Sequence, residues 1–342
     1  MNRQILECVP NFSEGRDEQK IAAIAEAIRS VEDAKLLHID TSYAANRTVM
    51  TFAGEPEAVV EAAFRGVKRA AELIDMRSQL GIHPRIGATD VCPVVSLYNL
   101  NKEDSIFYAD KLSEKIGNQL DIPVYFYEHS ARAAHRQSLP SIRRGQYEGF
   151  AEKIKLPDWE PDHGPKDFNP ATGATVVGAR DILVAYNVSL DTKDVDKAVY
   201  IAERIRESGH YEMINGERWK TPGLLGKTRA IGWYTSDFEC AQVSMNLLDY
   251  RTTSPVQAWE ACKALAEEAG VSIKGSELIG LMPESCLLEA GIYSYMRQDK
   301  DAPEDKELLI HEGINYMKLD KVKAFKPQEK ILEYALQDAG LI

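Results

Sequence analysis

No CxxC pair occurs in this 342-residue chain, and its five cysteines, Cys8, Cys92, Cys240, Cys262 and Cys286, are scattered and odd in number. That excludes a disulfide framework and zinc-ribbon spacing, and fits the reduced thiols of a cytoplasmic protein. The seven histidines include no HExxH and no i,i+4 pair, so no metal site is expected. Basic residues are in the minority, 41 Lys and Arg against 53 Asp and Glu. The resulting net charge of -12 argues against a nucleic-acid partner. A few local arginines can still hold an anionic small molecule in an acidic protein. No apolar run approaches the ~20 residues that span a membrane. Residues 1–10 lack the basic start and apolar stretch of a signal peptide, so a cytoplasmic location is expected. Nor is there a GxxxxGK[ST], a GxGxxG between strand and helix, or a GxSxG, which removes the signatures of nucleotide hydrolysis, dinucleotide binding and the esterase elbow.

What is present is a globular composition, 44% hydrophobic and 27% charged, over a length that implies two domains. An apolar strand at 5–11 runs into Phe12-Ser13-Glu14-Gly15 and a helix with Ile21, Ile24, Ala25 and Ile28 in register. Strands follow at 35–40 and 46–52, then a helix opened by Pro56 with Val59, Val60, Ala63, Phe64 and Val67 on one face, then a strand at 91–97. Strand, helix, strand, strand, helix recurs after residue 182, with strands at 182–189, 229–234 and 240–248 and a second helix opened by Pro255. We therefore expect an α/β (α+β) chain of two similar ferredoxin-like halves, 1–178 and 179–342, each a mixed sheet with helices on its outer face. Residues 156–173 hold Pro157, Pro161, Pro165 and Pro170 with Gly164 and Gly173, which bars a helix interior or a central strand. That segment is either a linker or a binding loop that uses backbone groups. The pattern further predicts a helix at 102–119, a strand at 124–127, a short helix over 130–138 and an amphipathic helix over 325–334. Residues 139–149 and 299–307 read as polar excursions and 211–227 as a loop.

The densest chemistry lies in Leu80-Gly81-Ile82-His83-Pro84-Arg85-Ile86-Gly87-Ala88-Thr89-Asp90. Pro84 pushes His83 toward extended backbone, and a polar loop between rigid elements is a common place for catalysis. Read alone, His83 is first a structural side chain of a turn, pairing a surface carboxylate as Arg85 would, and an acid–base role is the alternative. Asp40, before Thr41-Ser42, is either a turn cap or, if the two meet, the carboxylate that orients His83.

Several stretches together resemble the glutamate formimidoyltransferase family. They are Cys8-Val9-Pro10-Asn11-Phe12-Ser13-Glu14-Gly15, Asn46-Arg47-Thr48-Val49, the His83 segment, Gly173-Ala174-Thr175-Val176-Val177-Gly178-Ala179-Arg180, Gly232-Trp233-Tyr234 and Gln242-Val243-Ser244 with Asn246-Leu247-Leu248-Asp249. They run in the family's order over almost the whole chain. The resemblance implies transfer of a formimidoyl group between N-formimidoyl-L-glutamate and tetrahydrofolate in histidine degradation, with tetrahydrofolate as co-substrate. The histidine before Pro-Arg is the family's catalytic base and corresponds to His83; Asp40 matches an aspartate placed near it. Gly164-Pro165-Lys166-Asp167-Phe168-Asn169-Pro170-Ala171-Thr172-Gly173 matches the folate-contacting segment, which turns the linker reading into a ligand-binding one. The family's sheets face each other across a folate groove, its members are typically homodimers, and its bifunctional members continue into a cyclodeaminase, so a separate cyclodeaminase is a further expected partner. Glutamate and the folate tail carry carboxylates, for which Arg47 and Arg85, with Arg143 and Arg144, are the candidate anchors. The chain departs from the family at His129, where a glutamate is usual, and in the longer 211–227 loop. Two alternatives stay open: transfer to another amino acid such as glycine, and a non-catalytic folate-binding protein.

Overall fold

The computed structural model describes residues 3–342. They form two compact units, one running to Asp181 and joined by Ala339–Leu341, the other Ile182–Asp338 with Ile342. Each is built on the same strand–helix–strand–strand–helix–strand core.

In the first unit the core comprises β1 (Ile5–Cys8), β2 (Asn11–Phe12), α1 (Glu18–Arg29), β3 (Ala34–Ser42), β4 (Arg47–Gly54), α2 (Pro56–Leu73) and β5 (Thr89–Tyr98). β1 and β2 are one strand broken at Val9-Pro10, where proline removes a ladder donor. The order β3, β4, β1/β2, β5 is antiparallel throughout. Asp17 caps α1 by accepting from the Gln19 and Lys20 amides, and Pro56 supplies the ready-made φ of the first turn of α2. Leu6, Cys8, Met50 and Phe52 point to one face and pack against Ile24, Ile28, Val59 and Val67 of the two helices. By strand alternation Glu7 and Arg47 point to the other face. A one-residue slip between Leu36 and His38 keeps both Leu36 and Ile39 on the helix side and turns His38 and Asp40 to the opposite one.

α3 (Lys102–Leu120), β6 (Val124–Phe126), α4 (Leu139–Arg143), α5 (Gln146–Lys153) and β7 (Thr175–Ala179) complete the unit. β7 lies parallel between β5 and β6, extending the sheet to seven strands. Where a helix was expected over 130–138 there are two single 3₁₀ turns, and the expected polar excursion at 139–149 instead holds α4 and the start of α5. Ile142 and Phe150 explain the latter: both are fully buried against Tyr125 and Val176, so burial holds helices too short to stand alone.

The second unit contains β8 (Val184–Leu190), α6 (Val195–Ile205), β9 (His210–Ile214), β10 (Glu217–Thr221), β11 (Thr228–Thr235), β12 (Cys240–Leu247), α7 (Pro255–Glu268), β13 (Ile273–Ile279), α8 (Glu284–Arg297), α9 (Lys306–Tyr316), α10 (Pro327–Lys330) and α11 (Leu332–Asp338). Its sheet, β11-β12-β8-β13, repeats the strand order and antiparallel sense of the first core. The expected loop at 211–227 is in part a hairpin, β9–β10, turned by Asn215-Gly216 with both φ angles positive, 52° and 82°. The helix expected over 325–334 breaks at Ile331, which pairs with Met282 and receives no further helical turn from α10. No helix among the described residues is long and apolar enough to cross a membrane.

Candidate active site

The loop between α2 and β5, residues 74–88, carries His83, and its position is set by close backbone approaches. A side chain at Gly81 would meet the Ala45 carbonyl at 2.3 Å, and one at Gly15 the Ser42 carbonyl at 2.3 Å and the Arg47 amide nitrogen at 2.4 Å. Asn46, in the left-handed region at φ 48°, accepts from the Gly15 amide at 2.9 Å and donates to the Leu80 carbonyl at 2.9 Å. Gln79 donates to the Asn46 carbonyl at 3.1 Å. Ser13 reaches the Gly87 carbonyl at 2.7 Å, and Glu14 collects the amides of Gly15, Arg16 and Asp17 at 2.9–3.1 Å. The Asn-Phe-Ser-Glu-Gly and Asn-Arg-Thr stretches are thus the clamps that hold the histidine loop against the start of β4.

His83 is half-buried, and its Nδ1 lies 2.8 Å from the Pro84 carbonyl, which can only accept. That contact favours the neutral tautomer protonated at Nδ1, leaving Nε2 as the basic nitrogen. The Arg47 guanidinium lies across the ring edge, 2.7 Å from Nδ1 and closer still to Nε2. Desolvation by the surrounding protein, then the charges of Arg47 and Arg143, hold the imidazole well below its usual range. Arg47 is itself drawn down to about 9, by burial and by Arg143, and so stays charged at neutral pH. Among the described residues no carboxylate stands within salt-bridge reach of Arg47, and its buried Nε has no hydrogen-bond partner.

The neighbouring arginines differ. Arg143, at the end of α4, pairs with buried Asp90, whose Oδ1 also accepts from the Ile86 amide at 3.0 Å. Arg85 is buried and fully engaged: it makes a two-pronged contact with Glu148 at 2.7 and 2.9 Å and bonds Gln79 at 2.8 and 3.0 Å. Arg144 closes the short helix α4, its amide donating to the Ser141 carbonyl.

Asp40 is buried on β3, its Oδ2 3.3 Å from Nε2 of His38. His38 was not singled out from the sequence, yet the spacing was legible, since residues two apart on a strand share a face. Asp90 and Arg143 form the other pair that the sequence left unassembled, because 53 residues separate them.

The proline-rich segment is joined to the histidine loop. Gly87 and Gly173 form a bridge, the Ala88 amide donates to the Thr172 carbonyl at 2.8 Å, and the Ala174 amide to the Ile86 carbonyl at 3.0 Å. A side chain at Gly87 would meet the Ala174 carbonyl at 2.1 Å. Gly164 turns at φ 83° against Gly117, and Lys166 pairs with Glu160. Phe168 packs toward Phe150 and Tyr147. Asn169 accepts from the Ala171 amide at 3.0 Å, the Ala171 carbonyl accepts from the Met76 amide at 2.9 Å, and Tyr147 reaches the Pro170 carbonyl at 2.6 Å. The arrangement can therefore accept a proton at His83 and bind an anion at Arg47 beside a rigidly tethered backbone loop. No cluster of metal-binding side chains occurs among the described residues.

Known proteins divide along the same lines. The formiminotransferase domain, N-terminal subdomain, matches residues 5–180, and the formiminotransferase domain matches residues 185–337. Formimidoyltransferase-cyclodeaminase of Rattus norvegicus is 40% identical over 338 residues, which is 98% of this chain and 61% of that protein's length. Glutamate formimidoyltransferase of Streptococcus pyogenes serotype M1 is 39% identical over 298 residues, 87% of this chain and 95% of that protein. The protein of the same name from Thermoplasma acidophilum is 39% identical over 291 residues, 84% of this chain and 91% of its own length.

Proposed function

The chain belongs to the formiminotransferase family, and from that premise we propose that it transfers a formimidoyl group between N-formimidoyl-L-glutamate and tetrahydrofolate. One observation carries the reading: a neutral imidazole, His83, set against Arg47, whose buried Nε has no hydrogen-bond partner. A catalytic base must be unprotonated before it acts, and desolvation with two nearby guanidinium groups keeps this one so. As Arg47 turns from the ring to a substrate carboxylate and the N5 nitrogen of tetrahydrofolate bonds to the formimidoyl carbon, His83 Nε2 takes the N5 proton. The same proton passes to the glutamate nitrogen as the old carbon–nitrogen bond breaks, and the base is regenerated.

Arg47, rather than Arg85, holds a substrate carboxylate in this reading. Arg85 already satisfies Glu148 and Gln79, whereas Arg47 has a buried donor without a partner. An anion at Arg47 also offsets the charge that depresses His83, so binding raises the basicity of the nitrogen that must take the proton. Asp40, with His38 beside it, supplies negative charge on the same sheet face for the cation that develops during transfer. The 164–173 loop, fixed to the histidine loop through Gly87 and Gly173, presents backbone groups to the folate. A homodimer and a cytoplasmic location belong to the same reading.

The test is purified protein with tetrahydrofolate and N-formimidoyl-L-glutamate, following 5-formimidoyltetrahydrofolate. Product from the glutamate donor and not from N-formimidoylglycine is the expected result. Preference for the glycine donor, or folate binding without product, contradicts it.

A further inference from the structure

Two guanidinium groups stand at His83, both within the first unit, and they are not held alike. Arg47 lies across the ring edge, its buried Nε without a partner. Arg143 comes from α4, a helix of five residues that is fixed at its core and at its end. Ile142 is fully buried beside Tyr125 and Val176, and Lys153 Nζ bonds the carbonyls of Ser141, Ile142 and Arg144 at 3.0, 2.6 and 3.1 Å. The helix is also docked on the histidine loop. Asp90, which receives Arg143, accepts from the Ile86 amide at 3.0 Å, and the Tyr147 amide just beyond α4 donates to the Arg85 carbonyl at 2.9 Å.

Asp90 takes Nε and Nη2 of Arg143, and Nη1 has no hydrogen-bond partner among the described residues. The Arg143 side chain is 11% exposed and that of Asp90 1%, so a ligand can meet the guanidinium but not the carboxylate that holds it. A planar fork gripped along one edge keeps its remaining donors for a second anion. Burial does most to lower His83 and Arg47, and the Arg143 charge adds to it at both, which sets the three groups in one place. Their charges favour a particular ligand. With His83 neutral, Arg47, Arg143 and Asp90 leave a single positive charge. N-formimidoyl-L-glutamate, with two carboxylates and one amidinium, carries a single negative one, whereas the glycine derivative is neutral.

We propose that Arg47 and Arg143 divide the two carboxylates of the amino-acid donor, Arg143 Nη1 taking the side-chain one, so that Arg143 is the residue that selects a dicarboxylate. Arg47 touches the imidazole and therefore takes the α-carboxylate, the one next to the reacting nitrogen. This rests on the proposed use of N-formimidoyl-L-glutamate and adds the residue that tells it from shorter or uncharged donors. Asp90 is a positioning residue here: it sets the Arg143 guanidinium edge-on and offsets the repulsion between the two arginines.

The experiment is calorimetric titration of the whole protein, without folate, with N-formimidoyl-L-glutamate and with N-formimidoyl-L-glutamine, whose side chain is uncharged. The wild type is expected to bind the acid about 10–100-fold more tightly, the range of a lost charge-assisted contact. Arg143→Gln is expected to bring that ratio toward one. Arg47→Met is expected to weaken both donors alike and leave the ratio standing. The ratio is taken within each variant, so a general loosening of the histidine loop cancels. Should Arg143→Gln not fold, Arg143→Gln combined with Asp90→Asn leaves no buried charge unpaired and decides instead. A wild-type ratio near one overturns the assignment, as does a ratio that survives Arg143→Gln or one that vanishes in Arg47→Met. The expected ratios in a protein that makes no product contradict the proposed transfer and leave this site standing; product formation with a ratio untouched by Arg143→Gln does the reverse.

Discussion

The two units share one core topology and differ in what they attach to it. In the first, the connection from the second core helix to the last core strand occupies residues 74–88 and carries His83; in the second, the equivalent connection is the short turn 269–272. The open sheet faces differ as well. One bears the ionisable Glu7, His38, Asp40 and Arg47, with Glu7 pushed up to about 7 by burial against the opposing charge of Arg180; the other bears Asn187, Ser189 and Gln242, with Glu277 as its one buried carboxylate. A sheet that buries several charges in an acidic protein is organised for proton and ion chemistry, whereas amides and hydroxyls recognise shape and hydrogen-bond pattern. The duplicated core thus bears ionisable groups on one copy and amides and hydroxyls on the other, and the histidine proposed as the base sits in a loop that only one copy has.

The most severe break in that division is His83→Ala. Removing a positioned base lowers rates by about 10²–10⁴-fold. We expect a loss of that size in kcat, with the affinity for 5-formyltetrahydrofolate changed little; unchanged turnover would place the base elsewhere. Next is Arg47→Met, expected to raise KM for N-formimidoyl-L-glutamate about 10–100-fold, the range of a lost charge-assisted contact. If KM holds steady while kcat alone falls, Arg47 tunes the histidine without touching substrate. Smallest is Arg85→Met. Its partner Glu148 is 60% exposed, so the expected effect is the loss of the Gln79 contacts and packing, about 1–3 kcal/mol of stability, read as a lowered urea midpoint with an unchanged slope. A KM increase as large as that of Arg47→Met would reverse the ranking of the two arginines.

Much of the double core was legible in the sequence because it is written in apolar spacing: Ile21, Ile24 and Ile28 for one helix, Pro56 and Pro255 as matching helix openers. The histidine loop stood out through its density of functional groups. The partners were less legible. His38 and Asp40 share a face by simple alternation, but the slip before His38 hid which face that is, and Arg143 with Asp90 required knowing that the end of α4 meets the start of β5. The β9–β10 hairpin carried a readable signal, Asn215-Gly216, which the polar residues around it masked. The break at Ile331 had none, since Pro327 to Tyr334 is a sound helical pattern until Met282 competes for its backbone.

The account turns on His83 being held neutral by burial and then by the charges of Arg47 and Arg143, and the pH dependence of kcat/KM tests that most directly. A depressed imidazole pKa keeps the free enzyme's base unprotonated below the ordinary ~6.5, so activity persists there and the acid limb falls only at lower pH. Replacing Arg47 with methionine removes a positive charge and moves that limb upward toward 6.5. A wild-type limb at or above 6.5, unmoved in Arg47→Met, would contradict the arrangement on which the proposed mechanism rests.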